Sequence, residues 1–140
     1  MIFLNKDQFL KLLIQLFSEY DDMLILHSDT LKELVMLLKN AGMEGQFLSK
    51  LEEYLSNLKM YGDAAIGGRG APMEHLSGEA PLCSMRFLFA TTNFRIIFAY
   101  QNEHIYLLST FHERAGKKKT SYSAHIPIAR QRLEELLKER

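Results

Sequence analysis

The side chains best equipped for chemistry in this chain fall between residues 75 and 122. Arg86 and Arg95 sit in apolar, alternating surroundings, and His104 and His112 occur in a third alternating run. Arg114 and the run Lys117-Lys118-Lys119 follow, with Tyr122 three residues further on. A guanidinium is a planar, permanently charged fork that fits phosphate oxygens. An imidazole changes charge near neutral pH and can move a proton. A phenol donates a hydrogen bond or offers a ring on which a base can stack. Together these groups suit cleavage of RNA by its own 2′-hydroxyl. That reaction needs a base for the hydroxyl, cations around the crowded phosphorane-like transition state, and an acid for the leaving oxygen. His112 is the expected base, with Lys118 as the competing choice.

Other chemistries find less support. Cys83 is the only cysteine, so no intramolecular disulfide and no Cys-based zinc site can form. The five histidines, His27, His75, His104, His112 and His125, show no zinc-ligand spacing, and no metal or other cofactor is expected. Gly67-Gly68-Arg69-Gly70 lacks the Lys-Ser/Thr of a phosphate-binding P-loop and reads as a turn. No nucleophile elbow supports a serine hydrolase. The longest apolar runs are too short to span a bilayer. A lone thiol and the lack of a signal-peptide pattern suit the cytoplasm.

The elements that must hold these groups follow from hydrophobic periodicity. Met85-Arg86-Phe87-Leu88-Phe89, Phe94 to Tyr100 and His104 to His112 alternate with period two and predict three meandering strands. If Phe87, Phe89, Phe94, Ile96, Phe98, Ile105, Leu107 and Phe111 face the core, then Arg86, Arg95, His104, Tyr106, Thr110 and His112 share the opposite face. If the second hairpin has a two-residue turn, Arg95 lies opposite Thr110 and His112 is its neighbour on the same surface.

The preceding half is helical. Asn5 and Gln8 read as an N-cap ahead of Phe9, Leu12, Leu13, Leu16 and Phe17. Met23 to Leu26 reads as a short buried strand. Thr30 and Glu33 form a capping-box pattern before Leu31, Leu34, Val35 and Leu38, with Gly42 suited to the helix end. Phe47, Leu51, Tyr54, Leu55 and Leu58 mark the next helix, which stops at Gly62. Residues 61–81 read as a long loop. Ile128, Leu133, Leu136 and Leu137 lie on a C-terminal helix, with Pro127 in its first turn. The 140 residues make one α+β domain: a helical hairpin packed on a small antiparallel sheet, with an extra N-terminal helix over residues 1–20 and a C-terminal helix.

Formal net charge is zero but unevenly spread. Residues 1–60 carry 6 Lys against 9 Asp and Glu, net −3, whereas residues 101–140 carry 8 Lys and Arg against 5 Glu, net +3. A polyanion can therefore dock on the second half although the whole chain is neutral.

Four segments resemble the RelE/ParE superfamily of toxins, in particular its HigB-like, phage-related branch. They are His75-Leu76-Ser77-Gly78, Met85-Arg86-Phe87, Phe94-Arg95-Ile96-Ile97-Phe98, and Leu107 to Thr120 with Phe111 and Lys117-Lys118-Lys119-Thr120. Ile126 and Ala129-Arg130 match the start of the terminal helix, and the likeness covers residues 22–138. Glu74 stands where a basic residue is common in that family. The resemblance implies the toxin of a type II toxin-antitoxin system: a ribosome-dependent endoribonuclease, or mRNA interferase, with ribosome and mRNA as partners. It also implies neutralisation by a cognate antitoxin, often a helix-turn-helix protein. Carried over by position, Arg86 and Arg95 contact the scissile phosphate and Tyr122 packs on or orients the substrate, while His112 takes the place of a Lys used elsewhere. His75, Arg114, Lys117, Lys118 and Lys119 would bind RNA. Two alternatives stay open: a ParE-like toxin that inhibits gyrase, and a catalytically inactive phage-related binding module.

Overall fold

The computed structural model describes residues 6–38, 42–89, 93–113 and 118–139, with backbone alone at residue 6 and residues 118–121. The chain runs α1 (Lys6–Glu19), β1 (Leu24–Leu26), α2 (Ser28–Leu38), α3 (Glu44–Tyr61), β2 (Met73–His75), β3 (Leu82–Leu88), β4 (Asn93–Gln101), β5 (His104–Glu113) and α4 (Lys118–Lys138). The architecture is α+β. Five strands form one sheet in the order β1-β5-β4-β3-β2. The sheet is mixed rather than purely antiparallel, because β1 pairs parallel with β5 while the other neighbours run antiparallel.

The sheet is buried on both faces. On one face Met85, Phe87, Phe94, Ile96, Phe98 and Leu107 meet the apolar sides of α1, α2 and α3. Phe47 of α3 is the hub there: its ring lies 4.8 Å from Phe87, 5.6 Å from Phe94 and 6.2 Å from Phe9 of α1. Aromatic contacts of this kind, edge-on to Phe94 and Phe9 and tilted to Phe87, add to the gain from area burial. Phe9 and Leu13 are fully buried, so α1 belongs to the core rather than lying over the arginine-bearing face. On the other face Leu82, Ile97, Ala99, Tyr106, Leu108 and Phe111 meet Tyr122, Ala129, Leu133 and Leu136 of α4. Two covered faces explain the near-continuous apolar runs of β4 and β5, which a half-exposed sheet would not need.

The second hairpin turns on Asn102 (φ 51°) and Glu103 (φ 63°), a two-residue loop with both residues left-handed. Gln101 therefore faces His104, Tyr100 faces Ile105 and Phe98 faces Leu107, as a two-residue turn requires. The register then slips: Ile97 faces Ser109, leaving Leu108 as an extra residue. This bulge corrects the expected pairing. Arg95 faces Phe111 rather than Thr110, and Phe111 moves from the expected core face to the α4 face. The displaced Leu108 carbonyl accepts hydrogen bonds from Thr30 Oγ1 at 2.7 Å and Arg132 Nη1 at 2.8 Å. Arg132 also donates to Glu33 at 2.7 and 2.8 Å, tying α4 to α2 across the edge of β5.

Three further expectations change. Thr30 and Glu33 do not form a capping box; His27 caps α2, its Nδ1 accepting the Asp29 N–H at 3.1 Å. The loop expected over residues 61–81 holds a 3-10 turn, Gly62–Ala65, and strand β2. Helix α4 begins at Lys118, so Pro127 lies inside it and Lys118 and Lys119 open a helix rather than forming a loop. The Asn5 cap lies outside the described residues. Among those described, no helix is long and apolar enough to cross a membrane.

Candidate functional site

Arg86 and Arg95 occupy directly opposite positions on β3 and β4, and so project from the same face of the sheet. That face is covered by α4. Arg95 is only 3 % exposed. Two like charges facing each other across a ladder are unfavourable without compensation. Glu113, further along β5, supplies it: its Oε2 lies 2.6 Å from Arg95 Nε. The pair leaves Arg95 Nη1 buried without a partner, and Arg86 Nε is in the same condition. Buried guanidinium nitrogens with spare N–H groups are costly unless an acceptor reaches them.

Tyr122 stands over the same face from the second turn of α4. Its hydroxyl lies 2.9 Å from Ser84 Oγ, two positions before Arg86, and its ring meets Phe111 edge-on at 5.2 Å. Burial pushes the phenol pKa up, while the Ser84 hydrogen bond and the Arg95 charge pull it back in part. The group therefore stays a neutral donor at neutral pH. Three residues along α4, His125 stacks on Phe111 at 4.5 Å and meets Ser109 Oγ through Nδ1 at 3.0 Å. Burial lowers its pKa, so the ring is neutral under ordinary conditions.

Beside Tyr122 opens a cleft of about 660 Å³, lined by Gly68, Arg69, Glu74, His75 and Tyr122 among others. Volumes of this order hold small ligands. Its lip is the glycine-rich segment read as a turn from sequence. Gly67 brackets β2, donating to the Met73 carbonyl and accepting from the His75 N–H. Gly70, at φ +88°, donates its N–H to Glu74 Oε2 at 3.2 Å and accepts from Arg86 Nη1 at 3.5 Å. A single glycine thus links the cleft to Arg86, in a backbone conformation that side chains disfavour. His75 is about half exposed at the mouth, with Nδ1 3.4 Å from Cys83 Sγ and Nε2 3.7 Å from Asp63. Burial drives the Cys83 thiol up to about 12, so it is no nucleophile.

Three of the sequence-derived residues therefore come together: Arg86, Arg95 and Tyr122 on the α4 face. His75 borders the adjoining cleft, but it pairs with Cys83 and its ring turns toward Cys83 and Asp63, on the side of α1 to α3. His112 does not join them. Beyond the bulge it pairs with Phe94 and packs on that ring at 5.5 Å, on the face carrying α1 to α3. The one-residue slip that moved Phe111 toward α4 carried His112 away. Arg114 and Lys117 lie outside the described residues, as do the side chains of Lys118 and Lys119. Sequence reading missed Glu113, Glu74, Arg69 and His125. For Glu113 the signal was available: an acid two residues beyond Phe111 shares its face once the bulge is known.

The chain is thus an α+β protein with a mixed sheet, whose charged groups gather beneath the start of a C-terminal helix. Comparison with models of protein families, with curated proteins and with solved structures gives no match.

Proposed function

We propose that the protein is the toxin of a type II toxin-antitoxin pair, cleaving mRNA on the ribosome without a metal, by acid-base chemistry at the face beneath α4. The observation that carries this reading is the cross-strand pair Arg86 and Arg95, each with a guanidinium N–H left to donate to a phosphate oxygen. Two cations at one phosphate stabilise the charge that grows on it in the transition state. Tyr122 supplies a neutral donor above the same face. The imidazole on this face is His125, which burial holds neutral, in place of His112. Ribosome, mRNA and a cognate antitoxin are the partners this reading requires.

Growth arrest on induction of the protein alone should disappear with Arg86→Ala and with Arg95→Lys, which keeps the charge and loses the fork. It should persist with His112→Ala. Arrest that survives both arginine changes would sink the reading. A second reading is favoured by the buried Arg95–Glu113 ion pair, which neutralises one of the two cations. On that reading the face binds a partner without cutting RNA, and arrest, if any, leaves mRNA intact.

A further inference from the structure

We infer that the cleft beside β2 is a subsite for a guanine base, read by the Glu74 carboxylate. The inference deepens the ribonuclease reading by naming the nucleotide next to the scissile bond. Its starting point is an anomaly of charge. Glu74 is only 6 % exposed, faces Ser84 across the ladder and lines the cleft together with Tyr122. A buried carboxylate is expected to be paired with a cation. Among the described residues no Lys or Arg forms an ion pair with Glu74; its one hydrogen bond there is from the Gly70 N–H to Oε2. A carboxylate offers about four acceptor positions, so most of its capacity is unused. The cleft it lines is the open space in which a donor can reach it.

The chemistry of the bases then selects among ligands. Guanine presents two adjacent donors on its Watson–Crick edge, N1–H and the N2 amino group, and a carboxylate can accept both. Adenine and cytosine each place a ring acceptor beside their amino group, and that acceptor would face a negative oxygen. Uracil offers one N–H between two carbonyl oxygens. Single-stranded RNA is read in this way, through base edges combined with stacking on rings. Tyr122 furnishes a ring at the same cleft, and Arg69 furnishes a cation. Gly70 couples the two parts of the site, since its N–H holds Glu74 and its carbonyl holds Arg86. A base at Glu74 therefore lies next to a phosphate at Arg86.

The test is equilibrium binding of GMP, AMP, CMP and UMP to the full chain, followed by NMR. GMP should bind at least about 10-fold more tightly than the other three, as expected of one bidentate base contact. The Gly70 and His75 amide signals should move as it does. Glu74→Gln, of nearly the same shape, should erase the preference, with an unchanged melting profile as the check on folding. Equal binding of all four nucleotides, or no binding by the wild type, would overturn the inference. Mapped cleavage sites separate its failure from that of the parent reading. Cuts without guanine enrichment reject the guanine subsite and keep the ribonuclease. Guanine-selective binding without any cuts keeps the subsite and rejects the ribonuclease.

Discussion

Single side chains report most directly on how the α4 face is packed. His125 lies between Phe111 and Ser109 with its pKa lowered by burial. A folded-state pKa below the unfolded value of about 6.5 means that the contribution of this group is complete above pH 6.5. It is lost as pH falls through that range, because the unfolded chain takes up the proton more readily. The melting temperature should therefore decline from pH 7 to pH 5, and His125→Gln should flatten that decline relative to the wild type. Equal slopes would contradict the buried, neutral ring. Cys83 behaves in the opposite sense. Its thiol is raised to about 12, so its contribution is intact below pH 9 and is lost as pH climbs toward 12. Reaction with a thiol reagent at pH 8 should be negligible until the chain is unfolded, whereas rapid labelling of the native protein would show the site to be open. Neither environment was legible in the sequence, where both residues stand among neighbours of unremarkable type. Burial at these positions depends on where α4 and β2 come to rest.

At the scale of elements, the bulge at Leu108 decides which residues meet. Periodicity predicted the three long strands and the shared face of Arg86 and Arg95, because each follows from alternation along the strands. It failed from Leu108 onward. A slip of one residue leaves no mark in the pattern Leu107-Leu108-Ser109-Thr110-Phe111, where apolar and small side chains suit either face. What fixes the slip is remote: Thr30 and Arg132 capture the released carbonyl from 78 and 24 residues away. Arg132→Met should therefore cost roughly 2 kcal/mol, the range for a lost hydrogen bond to a charged group. It should also perturb backbone signals of residues 107–113 more than those of β3. A loss of under about 0.5 kcal/mol, the scale of an ordinary surface change, would show that the bulge does not depend on this contact. The hairpin turn offers a cleaner test. Glu103 holds φ 63°, a region that costs a side-chain-bearing residue roughly 1 kcal/mol. Glu103→Gly should raise stability in chemical denaturation by about that amount, and a loss of stability would contradict the left-handed turn.

Considered as a whole molecule, the chain encloses its sheet between three helices and a fourth, and the fourth lies over the arginines. The expected α+β class, the order of the long elements and the terminal helix were readable, since long periodic segments carry strong signals, whereas the three-residue strand β2 was read as loop. The covering of the second face was not. Arg95 looks like a solvent-facing residue in an alternating strand, and only the placement of α4 and Glu113 turns it into a buried ion pair with a spare N–H. The zero net charge is resolved in the same way. Acidic residues gather in the first 60 positions, while the α4 face brings Arg86 and Arg95 together, with Arg69 at the adjoining cleft. Glu113 and Glu74 offset two of these three cations, so the site keeps a formal excess of one positive charge within a neutral chain.

The central claim is that the paired arginines cut RNA, and mapping of new mRNA 5′ ends after induction of the protein alone tests it most directly. Wild type should produce cuts inside translated codons, and Arg86→Ala should produce none while keeping a wild-type melting profile. Growth arrest with an unchanged set of 5′ ends, or cuts that persist in the folded Arg86→Ala variant, would contradict the account.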